Sequence, residues 1–185
     1  MLKLDSEFED HERALIYAPL GSLNKQERIR ATWRTEGLAI LAWSLGFFPF
    51  PRIDAQVDPY EVTDSVAFLD PEMVNTVTTA KLRPAAELDA CRDFYYAIHC
   101  RFRQCMRKPG SHDIRHWFEK EWFQLLATES QFDESGDLLV NGTSISELDA
   151  QTLSKCESIV YQRHLASVWL VGEYGPVYSE VPVDT

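Results

Sequence analysis

Residues 25–48 read KQERIRATWRTEGLAILAWSLGFF, and Ile29, Trp33, Glu36, Ile40, Trp43 and Phe47 recur through them at three- and four-residue steps. Such steps return side chains to one face of a 3.6-residue helix. The stretch therefore predicts an amphipathic helix with a carboxylate set inside its apolar stripe. Its most apolar part, Gly37 to Phe50, is shorter than the roughly 20 residues that cross a bilayer, and Glu36 stands at its head. It reads as a core helix of a protein without membrane contact.

Working outward, Phe8, Ala14, Leu15 and Ala18 predict a short helix over residues 7–20, ended by Pro19 and Gly21. Downstream, Pro49 and Pro51 stop helix propagation and turn the chain. Residues 60–69 and 71–79 predict two short helices, the second with Asp70 as cap and Pro71 in its first turn. Pro84 opens a long helix to Arg107 whose stripe is Leu88, Cys91, Tyr95, Ile98, Phe102 and Cys105, closed by Lys108-Pro109-Gly110. Ile114, Trp117, Phe118, Trp122, Leu125 and Leu126 predict another helix over 111–127. Residues 138–145 carry Asn141-Gly142, the favoured pair for a type I′ turn, and predict a small β-hairpin. Ser146 or Asp149 then caps a helix to Val171, and the tail from Glu173 is extended, packing on the surface or fraying. The expected fold is mainly α: one helical domain over 1–185 with a small hairpin near 138–145.

At 185 residues and 45% apolar composition the chain can bury one core without staples. Eighteen basic against 29 acidic side chains leave a formal charge of −11, which repels a phosphate backbone and argues against nucleic-acid binding. The same charge can steer a basic protein partner. The N-terminus turns acidic at once, unlike a secretory signal, so a cytoplasmic location is expected. Cys91, Cys100, Cys105 and Cys156 form no CxxC pair and read as reduced thiols. A homodimer is compatible with this size, although no residue argues for one.

The residue least expected where it stands is Glu36. Burying it unpaired would cost several kcal/mol or raise its pKa until it was neutral, so a cationic partner should meet it. Tyr96, His99 and Arg103 share one face of the 84–107 helix, and Arg163, His164 and Trp169 lie along the last one. These predict one polar cluster of Glu36, His99, Arg103, Arg163 and His164, which is either an ionic network fixing helix packing or an acid/base or anion-binding site. Glu36, His99 and His164 are the catalytic candidates; Trp33, Arg103, Arg163 and Trp169 are the binding candidates. The five tryptophans otherwise fit helical core packing. His112 and His116 have i, i+4 spacing but no third ligand at a diagnostic interval, so no metal is expected, and no phosphate-loop or other cofactor motif appears.

Trp33-Arg34-Thr35-Glu36-Gly37-Leu38-Ala39-Ile40-Leu41-Ala42-Trp43-Ser44-Leu45-Gly46 resembles a bacterial family of domains of unknown function, number 4272. The resemblance continues through Leu82-Arg83-Pro84, Tyr96 to His99, Val160 to His164, Trp169-Leu170 and Val181 to Thr185, and so covers about 13–185. It implies a single helical domain of cytoplasmic type with no assigned reaction. It adds interest to Glu36, Arg163, His164 and Asp184; the acidic N-terminus departs from the pattern.

Small size, acidity and the lack of a catalytic template together point to a non-catalytic protein-binding module, such as an inhibitor or immunity protein for a basic secreted toxin. Acid-rich segments at 7–12 and 133–149 would supply the steering surface. Two alternatives stand beside it: an enzyme using Glu36 as general base with His and Arg binding an anion, and a structural scaffold.

Overall fold

A computed structural model of the chain describes residues 8–118 and 132–183. Among them are helices α1 (Asp10–Ile16), α2 (Lys25–Ser44), α3 (Pro59–Ser65), α4 (Met73–Thr79), α5 (Ala85–Arg107) and α6 (Ala150–Leu170), with strands β1 (Leu139–Val140) and β2 (Thr143–Ser144). The protein is mainly α. Helix α6 packs along both α5 and α2, so the last long helix joins the other two.

Local chemistry sets the ends of these helices. Asn24 and Glu27 form a reciprocal capping box on α2, at 3.0 and 2.7 Å. Asp149 accepts from the backbone N–H groups of Gln151 and Thr152 and starts α6. At the far end of α2 the last carbonyls meet a cation: Arg83 donates its Nε to Trp43 O (2.8 Å) and its backbone N–H to Ser44 O (2.9 Å). The Arg83 guanidinium also lies 4.7 Å from the centre of the Trp43 ring.

The core is built by α5 through Phe94, Tyr95, Ile98 and Phe102, by Ile40 and Trp43 of α2, by Val160 of α6, and by Leu138, Val140 and Ile145 of the hairpin region. The proline-punctuated segment after α2 inserts Phe50 into it, with ring centres 5.2 Å from Trp43, 5.5 Å from Phe94 and 5.6 Å from Tyr95. Only the second half of α2 is buried, from Glu36 to Ser44, whereas Ile29 is 38% exposed. The predicted stripe is present, but its first two turns have no core above them.

The hairpin forms as expected, with Leu139 opposite Ser144 and Val140 opposite Thr143. Asn141 and Gly142 both take positive φ, 50° and 79°, as a type I′ turn requires. Elsewhere the structure corrects the sequence reading. Asp70 does not cap a helix at Pro71: its carboxylate closes a tight turn on Glu72 N (2.8 Å), its carbonyl accepts from Met73 N, and α4 begins at Met73. The described part of the expected 111–127 helix is an irregular segment and one 3₁₀ turn, Arg115–Phe118. There Ile114 N donates to Gly136 O and His112 N to Asp137 Oδ2, while Asp113 accepts from Arg115 N, so bonds to the segment before the hairpin and one local side-chain bond replace helical ones. Residues 119–127 lie outside the described residues.

The described part of the tail, to residue 183, packs on the surface, as one of its two expected courses had it, and is not extended throughout. It forms a 3₁₀ turn at Tyr178–Glu180, buries Val181, and accepts a hydrogen bond at Pro176 O from Trp169 Nε1 (2.9 Å). The Tyr178 hydroxyl sits over Gly37, where a Cβ would lie 2.6 Å from it, so this contact needs glycine in α2. Among the described residues no helix is long and apolar enough to cross a membrane.

Candidate functional site

The expected partner of Glu36 is Arg163. Its Nε and Nη2 donate to Glu36 Oε2 at 2.9 and 2.7 Å, while Val57 N donates to Oε1 at 3.2 Å. Arg163 also donates to the carbonyls of Arg52 and of Ala55, the latter at 2.8 Å. One ion pair thus ties α2, α6 and the 52–57 loop together, with both side chains almost fully buried. Burial pushes the Glu36 carboxyl above the usual carboxylate range, and Arg163 and the Val57 N–H pull it part of the way back. Glu36 and Arg163 line neither the groove beside Trp33 nor the depression beside Trp169.

The remaining members of the predicted cluster stand apart from that pair. Arg163 and His164 are consecutive in α6, so their side chains leave the helix about 100° apart. His164 Nδ1 lies 3.1 Å from His99 Nδ1, and His99 Nε2 lies 3.4 Å from Glu157 Oε1. Arg103 approaches the same Glu157 oxygen at 3.6 Å. The single five-residue cluster is therefore corrected to two: a closed Glu36–Arg163 pair and a chain running His164, His99, Glu157, Arg103. Helical phase, which the sequence reading did not apply between positions 163 and 164, accounts for the split.

Electrostatics order the second chain. Desolvation, with the His99 and Arg92 charges adding to it, lowers the His164 pKa from 6.5 to about 3, so this imidazole is neutral. The His99 hydrogen bond, followed by the charges of His99 and Arg103, holds the Glu157 carboxyl below its ordinary value. Glu157 accepts from His99 Nε2–H, and of the two facing Nδ1 atoms, one donates to the other. Tyr161 and Tyr96 close the pair edge-on, at 5.7 Å from His99 and 5.8 Å from His164.

Glu157 and Arg103 reach a groove of about 810 Å³ between α1, the uncovered half of α2, and α6. Trp33, Leu15, Leu23 and Leu165 give it apolar walls, with Tyr161 and Tyr178 at its sides; Arg30 and Arg34 join Arg103 there. Of the predicted binding residues, Trp33 and Arg103 share this groove. Trp169 lies across Tyr178, lining a second depression, with ring centres 5.9 Å apart. Arg163 belongs to the buried pair.

The acidic segments expected to steer a partner are largely engaged internally. Glu12 pairs with Arg34 at 2.7 Å, and Glu9 accepts from Ser179 N at 2.9 Å. Asp137 is fully buried against Arg101, at 2.7 and 2.6 Å, and Asp149 caps α6. Residue 7 lies outside the described residues. A different stretch is freer: from Ile53 to Ala80 the chain carries Asp54, Asp58, Glu61, Asp64, Asp70 and Glu72 and no Lys, Arg or His. Tyr60 (80%), Phe68 (57%) and Leu69 (84%) are exposed within it, and α4 buries no residue. Ala67 and Leu69 hold positive φ, 55° and 66°, an unfavourable conformation for side-chain-bearing residues in the loop that presents Phe68.

Sequence reasoning missed Glu157 and the Arg101–Asp137 pair. Both left a signal: Glu157 lies two turns before His164 on α6, and Arg101 falls between Ile98 and Cys105 in the α5 stripe, as Glu36 does in α2. All four cysteines are free. Among the described residues no three His, Cys, Asp or Glu side chains converge as metal ligands would, and His112 and His116 are both exposed. Asp184 lies outside the described residues.

No curated protein and no solved structure matches the chain. A family model, described as a domain of unknown function, DUF4272, matches residues 3–113. The matched region takes in the acidic N-terminus, which the resemblance had not placed, and α1 to α5 with Glu36, His99 and Arg103; α6 with Glu157, Arg163 and His164 lies beyond it. With well over half of its length matched, the chain belongs to the DUF4272 family.

Proposed function

We propose that this protein is a non-catalytic binding module whose partner is a basic protein, in the manner of an inhibitor or immunity protein and its toxin, and that the 53–80 stretch is the surface it uses. The observation that carries this reading is the coincidence, in one stretch without a cation, of six carboxylates, of which, among the described residues, only Asp54 is paired, with Arg52, and the exposed side chains of Tyr60, Phe68 and Leu69. Glu61, Asp64 and Glu72 make no ion pair among the described residues, so their field is available to a partner. Aromatic and aliphatic anchors supply affinity, at about 1.5–3 kcal/mol for each side chain fully covered, while charges mainly set the association rate. Against the alternative of Glu36 as general base weighs its position, shut between Arg163 and a backbone N–H and lining neither groove.

The test is capture from the source cells and their medium with tagged wild type, with the double variant F68S/L69S, and with E61Q/D64N/E72Q, at low and high salt. A stoichiometric basic partner is expected that high salt and the charge variant each weaken at least tenfold and that F68S/L69S loses. A partner retained by both variants, or the absence of any basic partner, overturns the reading.

A further inference from the structure

We propose that the groove between α1, the first half of α2 and α6 is a binding site for a small amphiphilic anion: a planar apolar body ending in a carboxylate, sulfonate or phosphate. It is lined by no residue of the 53–80 stretch and stands independently of the partner proposed there.

The chain as a whole carries −11, yet Arg30, Arg34 and Arg103 face this one groove, against Glu27 and Glu157. Glu27 is already engaged in capping α2, and Arg34 in its bond to Glu12. Arg30 makes no ion pair among the described residues. Among the described residues Arg103 has one ion-pair approach, 3.6 Å to Glu157, a carboxylate also held by His99. Two guanidinium groups are thus left with spare donors at the groove, in a molecule of net charge −11. A guanidinium offers paired N–H groups matched to a carboxylate or phosphate.

The amphipathic stripe of α2 continues past the core, and Trp33 stands at the groove with Leu15, Leu23 and Leu165, giving a ring face and aliphatic surface beside the cations. A volume of about 810 Å³ suits a small molecule, for which clefts of about 300–1,000 Å³ are usual. A basic protein segment would be repelled by the three arginines, and a simple inorganic ion would leave the apolar wall uncovered. A flat organic anion satisfies both halves, its body against Trp33 and its head toward Arg30 and Arg103.

The experiment uses the full chain and two probes that share one ring system: 8-anilinonaphthalene-1-sulfonate, and the uncharged N-phenyl-1-naphthylamine. Fluorescence titration and calorimetry are expected to show saturable 1:1 binding of the sulfonate, at least tenfold tighter than that of the neutral amine. R30Q/R103Q should weaken the sulfonate at least tenfold and leave the amine unchanged, with an unaltered circular dichroism spectrum. W33A should weaken both probes. F68S/L69S should change neither, which separates this site from the exposed residues of the 53–80 stretch. Equal affinity for the two probes, binding unaffected by R30Q/R103Q, or binding abolished by F68S/L69S overturns the proposal.

Discussion

His164 and Arg163 are neighbours in sequence with opposite electrostatic duties, one a buried neutral ring and the other a buried cation. Replacing Glu36 by Gln keeps the shape of its side chain and leaves the Arg163 charge without its counterion, so stability should fall by about 3–5 kcal/mol in urea unfolding. A loss under about 1 kcal/mol would mean that the two backbone carbonyls suffice for Arg163. His164 carries a pH dependence of definite sign. Its pKa is about 3 in the fold against 6.5 for the free side chain. The unfolded chain therefore takes up a proton that the folded one refuses, and stability falls as pH drops from about 6.5 toward 3, by up to about 1.4 kcal/mol per unit. Glu157 adds to the same trend, since its depressed carboxyl contributes above its unfolded range and loses that contribution as acid protonates it. H164N retains a hydrogen-bonding atom near the Nδ1 position and removes the titration, so its unfolding midpoint should fall less than wild type between pH 7 and 5; parallel curves would refute this. At this scale the sequence made Glu36 conspicuous, because a carboxylate in an apolar stripe demands a cation. It did not show which of two adjacent residues would answer, since that depends on the rotation of α6 against α2, a tertiary quantity.

For the elements, legibility followed the strength of the local signal. Helix α5, with its proline start and unbroken stripe, and the hairpin, with Asn141-Gly142, form where spacing and turn chemistry place them. The 71–79 and 111–118 segments depart from expectation because Asp70 and Asp113 bond to the backbone two residues on, a local competitor to helix. Helix α2 shows another limit: periodicity reveals which face is apolar, and the arrival of α6 decides how many turns of it are covered. Two element-level outcomes follow. D149A removes two N-terminal hydrogen bonds from α6, the helix both others pack on, and should cost about 1 kcal/mol. G37A forces its Cβ against the Tyr178 hydroxyl and should destabilise by about 1–3 kcal/mol. Y178F removes that oxygen, so the alanine should cost much less in the Y178F background; equal costs in a double-mutant cycle would show that the backbone of α6, not Tyr178, sets the limit.

Across the whole molecule, net charge was readable from composition, but its distribution was not, because counting acids does not reveal which ones are occupied by Arg34, Arg101 or a helix start. An anionic chain repels itself, so about 0.5 M NaCl should raise the unfolding midpoint of the free protein while it weakens a complex with a basic partner. A midpoint lowered by salt would instead put the internal ion pairs ahead of the self-repulsion. The Glu36–Arg163 bond, finally, joins positions 127 residues apart. Ribosomes add about 5–20 residues per second, so the carboxylate is made roughly 6–25 seconds before its cation. During that interval the apolar half of α2 is available to any other surface, and the nascent chain is a natural client for chaperones until α6 is complete.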